Sequence, residues 1–321
     1  VYKRQLYNGM YAQAAETLKE VIDLKDENGA LRYDLYPLYR ELFLPQNENN
    51  CEVIFDIQYM KNAYSQGLTH QLYTFTYEWN SYCPTSALAE SYYTKNGYPV
   101  SWNAETQLYE SADPAFDPTY PYKDRLDQSI IMPGTDNGRG AIFLPSSSNH
   151  TGMKIRKWND YTETEKNNSE HNIILIRFAD VLLMRAEALV ESGTFDEAEV
   201  RGLIDRVRQR PSVMMPKVED IEGTELDANA LRAIIRHERR VEFAFEGTRI
   251  SDIRRWRIGP EVMTDAYGYK YQDVRLNPPK YIPYKVDTRS FNPNRDYLWP
   301  IPQNEINTNP FINAPDQNPG Y

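Results

Sequence analysis

The chain has 321 residues, 40% of them hydrophobic, and a formal net charge of −10 at pH 7. This size and composition are enough for one large domain or two intertwined lobes. The acidic balance argues against a nucleic-acid partner, because phosphate binding needs clustered Lys and Arg, and the Arg-rich stretches here are interleaved with Glu. No stretch approaches the roughly 18 consecutive apolar residues of a membrane-spanning helix.

The first predicted element is a helix over residues 10–24, whose apolar residues recur at helical spacing. The pattern that opens it, from Gly9 to Ala14, recurs from Gly193 to Ala198. A glycine, an aromatic residue and a small residue at this spacing are typical of the second helix of a tetratricopeptide hairpin. Because the two copies are not in tandem, we expect a long insertion between them.

A strand is predicted over residues 51–59, where Val53, Phe55 and Ile57 occupy alternate positions. From 61 to 172 the chain is rich in aromatic residues and repeatedly broken by Pro and Gly. We interpret 61–172 as an irregular, ligand-facing lobe with a few short strands.

Two stretches of this lobe contain candidate ligand-binding side chains, because exposed aromatic faces beside amide groups suit stacking on ligands. The candidate residues are Tyr73, Tyr77, Trp79, Asn80, Tyr82, Trp102 and Asn103. Two alternatives remain open. Residues 70–82 form a strand with one buried aromatic face, or the tryptophan in the second stretch fills the interior of the lobe.

Helical periodicity returns in the last part of the chain. Helices are predicted over 173–192, 196–210, 226–247 and 251–256. Asp227 suits the N-cap position of the third of these helices, and Gly247 suits the position at its C-terminal end.

Glu238 and Glu242 lie four residues apart within the apolar stripe of that third helix. Two buried carboxylates are costly unless cations meet them. The expected structural partners are Arg177, Arg208, Arg249 and Arg254. The alternative is a glycosidase carboxylate pair, which is disfavoured because Arg partners would hold both groups ionised and occupied. We therefore predict no catalytic residue and no enzyme activity.

No cofactor or metal site is predicted. The four histidines lack His partners at helical spacing, and Cys51 and Cys83 do not form a Cys-x-x-Cys motif. The two cysteines are expected to remain separate, as small apolar residues.

Several motifs in the same order resemble the SusD/RagB family. They are IRFADVLLMRAEAL at 176–189, HERRVEFAFEGTR at 237–249, DIRRW at 252–256 and YLWPIPQNEINTNP at 297–310. The resemblance implies a mainly α fold: a tetratricopeptide-like scaffold of helical hairpins with a large, irregular, aromatic-rich insertion containing a few short strands. It divides the chain into a partial N-terminal tetratricopeptide-like region (1–60), the variable insertion (61–172) and a C-terminal helical region (173–321).

The resemblance also implies a function. Members of this family are outer-membrane lipoproteins on the cell surface that capture glycans or peptides for a SusC-like, TonB-dependent transporter. We expect non-enzymatic binding of oligo- or polysaccharides, with peptide binding as the alternative and a glycoside hydrolase or a general tetratricopeptide adaptor as less favoured ones. The motifs place Trp158, Trp256 and Trp299 in scaffold segments, so we expect these three to pack in the core.

Family members carry a signal peptide, a lipid-anchored Cys and further helices before the point where this chain starts. We therefore expect an N-terminally truncated sequence, with membrane attachment only through a lipid anchor that this chain lacks. Residues 1–5, VYKRQ, match the translation of a transposon-end sequencing adapter, and we interpret them as an artefact that precedes the native sequence.

Overall fold

The computed structural model describes residues 2–65, 82–117, 125–145, 149–162, 165, 168–271 and 281–321. The helices are α1 (Tyr2–Tyr7), α2 (Tyr11–Ile22), α3 (Ser86–Ala89), α4 (Arg125–Ser129), α5 (Phe178–Glu191), α6 (Glu197–Arg208), α7 (Val218–Ile221), α8 (Ala228–Glu242), α9 (Arg249–Trp256), α10 (Gly259–Val262) and α11 (Gln303–Thr308). Three 3-10 turns cover Glu41–Phe43, Pro45–Asn47 and Ala314–Asp316. Within these ranges the fold is mainly helical.

The described strands form four two-stranded antiparallel sheets. The pairs are β1 (Val53–Ile57) with β6 (Ile173–Arg177), β2 (Ser101–Asn103) with β3 (Leu108–Glu110), β4 (Ile130–Ile131) with β5 (Lys154–Ile155), and β7 (Ala266–Tyr271) with β8 (Tyr281–Asp287). No helix in the described part of the chain is long and apolar enough to cross a membrane.

Helix α5 is the centre of the main core. Every residue from Phe178 to Ala188 is buried, as expected for a helix that is surrounded on all sides. It packs against α2, α6 and α8, and Leu18, Ile204 and Leu231 belong to the same cluster of buried residues. A second cluster joins Ala89, Leu126 and Tyr269 to the C-terminal end of α8.

The prediction of a helix from residue 173 is wrong for its first five residues. Ile173–Arg177 is strand β6, in which Ile173 pairs with Ile57 and Arg177 with Val53. The β-branched residues of this run favour a strand where a partner is available. The partner, β1, is more than a hundred residues earlier in the sequence, so local periodicity did not reveal it.

The predicted third helix begins as expected but ends early. The Asp227 carboxylate accepts a hydrogen bond from the Ala230 amide, which is the N-cap contact that Asp provides. The helix ends at Glu242 rather than near Gly247, and Phe245 takes a left-handed φ of 66°. This turn brings the Glu246 carboxylate back to Arg177, at 2.7 Å from Nε.

Candidate ligand-binding surface and its buried support

Tyr82 is the first of the predicted ligand-binding residues that lies in the described part of the chain, and it is 59% exposed. Four of the predicted ligand-binding residues, Tyr73, Tyr77, Trp79 and Asn80, lie outside the described residues. The geometry of the candidate surface therefore rests on Tyr82 and on the β2–β3 hairpin.

Trp102 lies on β2, opposite Tyr109 of β3. Tyr109 is buried and makes an edge-on contact with Tyr269, with ring centroids 5.7 Å apart. Trp102 is half-buried and packs against the same cluster. The side chain is thus anchored against this cluster and keeps part of its surface exposed.

Asn103 shapes the turn of this hairpin. Its amide nitrogen donates to the Glu110 carboxylate at 2.8 Å. Its carbonyl oxygen accepts from the backbone amides of Glu105 at 2.8 Å and Thr106 at 3.1 Å. Because the side chain makes these three bonds, its main structural effect is to hold the loop beside Trp102 in one conformation.

Beneath the lobe lies a buried ion cluster of four carboxylates and five cations. Its members are Glu52, Glu238, Glu242, Glu246, Arg125, Lys157, Arg177, Arg208 and Arg210. Charged residues are rarely buried unless they are paired in this way.

Glu242 is at the centre of the buried ion cluster and has no exposed surface. Its Oε1 accepts from Arg177 at 2.8 Å and from Arg210 at 2.9 Å, and its Oε2 accepts from Arg125 at 3.2 Å. Burial raises the pKa of Glu242, but these cations and Lys157 more than offset that effect and hold it well below its usual range.

Glu238 is held in the same way. Its two oxygens accept from Arg125 at 2.5 Å and from Arg208 at 3.1 Å. Burial again works to raise the pKa of Glu238, and the two guanidinium groups bring it below its ordinary value. Both glutamates on α8 are fully buried and occupied, so neither is placed to act as a general acid or nucleophile on a substrate.

Two residues of the predicted insertion, Arg125 and Lys157, belong to the buried ion cluster. The Lys157 ammonium donates to the Glu246 carboxylate at 2.5 Å, to the Glu242 carbonyl at 2.8 Å and to the Tyr39 hydroxyl at 2.8 Å. Burial lowers the pKa of Lys157 to about 8 even with Glu246 beside it. Through these contacts Arg125 and Lys157 fasten their segments to the C-terminal end of α8.

The structure brings together some of the predicted ion-pair residues and separates others. Arg177 and Arg208 contact the two α8 glutamates. Arg249 and Arg254 were also expected there, but among the described contacts neither pairs with Glu238 or Glu242. Both belong to α9, where Arg249 borders a surface cavity and Arg254 lies over Trp299.

Sequence reasoning missed Arg125, Lys157, Arg210, Glu52 and Glu246 as members of the buried ion cluster. These residues come from five separate segments and share no periodic pattern. The one available signal was the apolar stripe of α8, which showed that Glu238 and Glu242 needed cations without showing which ones.

Comparisons with known proteins agree with this architecture. The sequence profile of the SusD family matches residues 51–321. The chain belongs to the SusD family. SusD-like protein P2 of Formosa agariphila is 28% identical to it, and the match covers 98% of this chain and 57% of that protein.

Two solved Bacteroides fragilis structures are similar to this SusD-family chain. A SusD-like carbohydrate-binding protein has 29% identity and a TM-score of 0.77, with 95% of this chain and 62% of that chain covered. A second SusD-like protein has 27% identity and a TM-score of 0.76, with 100% and 64% covered. The chain thus spans less than two thirds of the length of these relatives.

Proposed function

We propose that this protein binds oligo- or polysaccharides without altering them chemically. The observation that carries the proposal is the similarity to the B. fragilis carbohydrate-binding structure over nearly the whole chain. The half-exposed Trp102 and the exposed Tyr82 supply aromatic faces that suit sugar rings. The occupied carboxylates of the buried ion cluster support a binding rather than a catalytic role.

In this proposal the ligand-facing lobe is the insertion 61–172, including Tyr73, Tyr77, Trp79 and Asn80. It lies between the partial N-terminal region 1–60 and the C-terminal region 173–321. Their helical hairpins form the tetratricopeptide-like scaffold. Arg125 and Lys157 keep the lobe rigid on this scaffold, which lowers the entropy lost when a ligand binds.

Affinity electrophoresis through gels containing neutral polysaccharides tests the binding proposal. We expect the chain to be retarded by at least one polysaccharide, and the combined change Tyr82→Ala and Trp102→Ala to weaken binding by about 10-fold or more. Phe311→Ala is the matched control, because Phe311 is 89% exposed and belongs to the C-terminal region. Circular dichroism shows whether each variant remains folded.

Three results would contradict the binding proposal. Retardation that is unchanged by the double substitution would show that Tyr82 and Trp102 do not form the binding surface. Tight binding of peptides together with no retention on any polysaccharide would favour the peptide-binding alternative. Release of new reducing ends from a polysaccharide by the purified chain would show that it is a glycoside hydrolase.

We further propose that the full-length protein is lipid-anchored on the outer face of the outer membrane and delivers its ligand to a SusC-like, TonB-dependent transporter. Family membership supports this placement. When the tagged full-length protein is isolated from detergent-solubilised outer membranes, mass spectrometry is expected to identify one such transporter in near-equal amount. Its absence, while an unrelated tagged lipoprotein gives the same background, would count against the partnership.

A further inference from the structure

A positively charged cavity lies between the C-terminal end of α8 and α9. It has a volume of about 230 Å³. Its charged lining consists of Arg239, Arg240, Arg249, Arg289 and the single carboxylate of Asp252. Four arginines against one aspartate is a marked local excess in a chain whose net charge is −10.

The carboxylates beside this cavity already pair with arginines. Asp252 accepts from Arg239 Nε at 3.0 Å and from Arg255 at 2.8 Å. The second carboxylate that meets Arg239 is Asp180, at 2.9 Å. Arg239 is thereby neutralised, and Asp252 has little capacity left for the other arginines of the cavity.

The carboxylates of Glu90 and Asp252 act on Arg240 and Arg249, respectively, only through space. The Arg240 guanidinium donates to the Ala87 carbonyl at 2.7 Å, and within the described ranges neither arginine lies in an ion pair with a carboxylate. Both are half-buried. Burial and the adjacent Arg240 cation lower the pKa of Arg249 to about 10. An anion between the two guanidinium groups would relieve this repulsion.

A second cavity of about 260 Å³ adjoins the first, and Ile253 and Met263 line both. Its wall includes Trp299, Leu298 and Tyr321. Trp299 was expected to pack in the core, but it is 68% exposed. The tryptophan ring lies at the surface beside Arg254 of α9.

The guanidinium of Arg254 lies 4.9 Å from the centroid of the Trp299 ring. A cation over an indole ring holds its plane in a defined position. The two adjoining cavities therefore combine guanidinium groups for an anion with an oriented aromatic surface for an apolar face.

We propose that these cavities form a second saccharide site, in which Arg240 and Arg249 bind the carboxylate or sulfate group of an acidic sugar and Trp299 stacks on the neighbouring sugar. Arginine suits this task because its planar fork matches the oxygens of such groups. Each cavity is smaller than the roughly 300 Å³ at which typical ligand pockets begin, so each accommodates one sugar ring. The inference rests on the proposed glycan binding and names the ligand class for this second site.

Calorimetric titration of the 321-residue chain tests the inference with four probes: trigalacturonate, galactotriose, galactose 6-sulfate and triglutamate. The wild-type chain is expected to bind trigalacturonate at least about 10-fold more tightly than galactotriose, with the difference shrinking as NaCl is added. Galactose 6-sulfate in the same series shows whether sulfate replaces carboxylate.

Arg249→Gln is expected to weaken trigalacturonate binding by about 10-fold or more and to leave galactotriose binding unchanged. Arg206→Gln is the matched control, since it changes the net charge equally but Arg206 pairs with Asp34 at another surface. Arg240→Gln provides a second test if Arg249→Gln does not fold. Trp299→Ala is expected to weaken binding of both trisaccharides at this site.

Equal affinity for the acidic and neutral trisaccharides, or unchanged trigalacturonate binding in folded Arg249→Gln, would overturn the inference. Stronger binding of triglutamate than of trigalacturonate would also overturn it, because the pocket would then recognise a protein carboxylate. If acidic selectivity fails while Tyr82 and Trp102 still bind neutral polysaccharide, this inference falls alone. If no saccharide of either kind binds, the proposed function falls with it.

Discussion

Glu242→Ala is expected to lower the free energy of unfolding by at least about 3–5 kcal/mol, because removing one partner of a buried ion pair leaves buried charge uncompensated. Three arginines donate to this carboxylate: Arg125, Arg177 and Arg210. A domain is typically stable by only about 5–15 kcal/mol, so the variant should be close to unfolding at room temperature. Urea denaturation followed by circular dichroism measures the change.

The matched control is Asp34→Asn, which removes a carboxylate from an exposed pair. Asp34 lies 3.0 Å from Arg206, with 67% of its side chain exposed, and such pairs contribute about 0–1 kcal/mol. A loss for Glu242→Ala as small as for the control would show that Glu52, Glu238 and Glu246 alone can satisfy the arginines. In that case the central place assigned to Glu242 would be wrong.

A double substitution separates the loss of ion-pair attraction from the cost of leaving a buried arginine without its carboxylate partner. In the Glu242→Gln background, Arg210→Met removes a cation that has lost one of its two carboxylates, and Glu52 keeps Arg177 as its partner. We expect the double variant to lose less stability than the sum of the two single variants, because coupled neighbours are not additive.

Predictions from the sequence were most accurate where they depended on residues within a single helix. The stripe of α8 predicted that Glu238 and Glu242 are buried, and both have no exposed surface. The Asp227 cap and helix α2 followed from local rules in the same way. Contacts within one turn of helix depend on residues a few positions apart, so the sequence records them directly.

Reasoning failed where the deciding partner was distant in sequence. Ile173–Arg177 has the apolar character of either a helix or a strand, and pairing with β1 decided between them. Arg125 and Lys157 reach Glu242 from the insertion, where neither residue stands out by spacing or composition. The exposure of Trp299 likewise depends on which segments pack over its ring, and the motif around this residue did not specify them.

These distant contacts determine how the fold supports the candidate binding surface. The described parts of 61–172 contain short strands and many turns, and such segments gain little order from their own secondary structure. Arg125 and Lys157 contact Glu238 and Glu242 of α8, and Glu52, just before β1, pairs with Arg177 and Arg210. The buried ion cluster therefore joins the segments that contain Arg125 and Lys157 to the C-terminal end of α8.

Acidification is expected to weaken the buried ion cluster and so to destabilise the fold. The pKa values of Glu52, Glu238 and Glu242 are affected first by burial, which raises them, and then by the surrounding arginines, which bring them below the ordinary 4.5. In the unfolded chain these groups take up protons near pH 4.5, while in the folded protein they do so only at lower pH. The unfolded state therefore binds more protons in this window, and stability falls as pH falls.

The free energy of unfolding, measured by urea denaturation, should begin to fall below about pH 6.5, because burial lowers the pKa of His237 from its ordinary 6.5 and the unfolded chain protonates this group first. Below about pH 5 it should fall more steeply, by up to about 1.4 kcal/mol per pH unit for each of the three glutamates. Asp180 adds to this trend, because burial raises its pKa but Arg239 beside it brings the pKa below the usual value. Glu48 and Asp205 act in the opposite direction, since burial raises the pKa of each, but both are only half-buried.

Glu238→Gln isolates the contribution of one group. Its amide does not titrate, so the stability difference between wild type and variant should shrink as pH falls below about 4.5. Asp34→Asn should keep the full acid dependence of the wild type, since that carboxylate is outside the buried ion cluster. A difference that stays constant down to pH 3 would mean that Glu238 is not held ionised by Arg125 and Arg208.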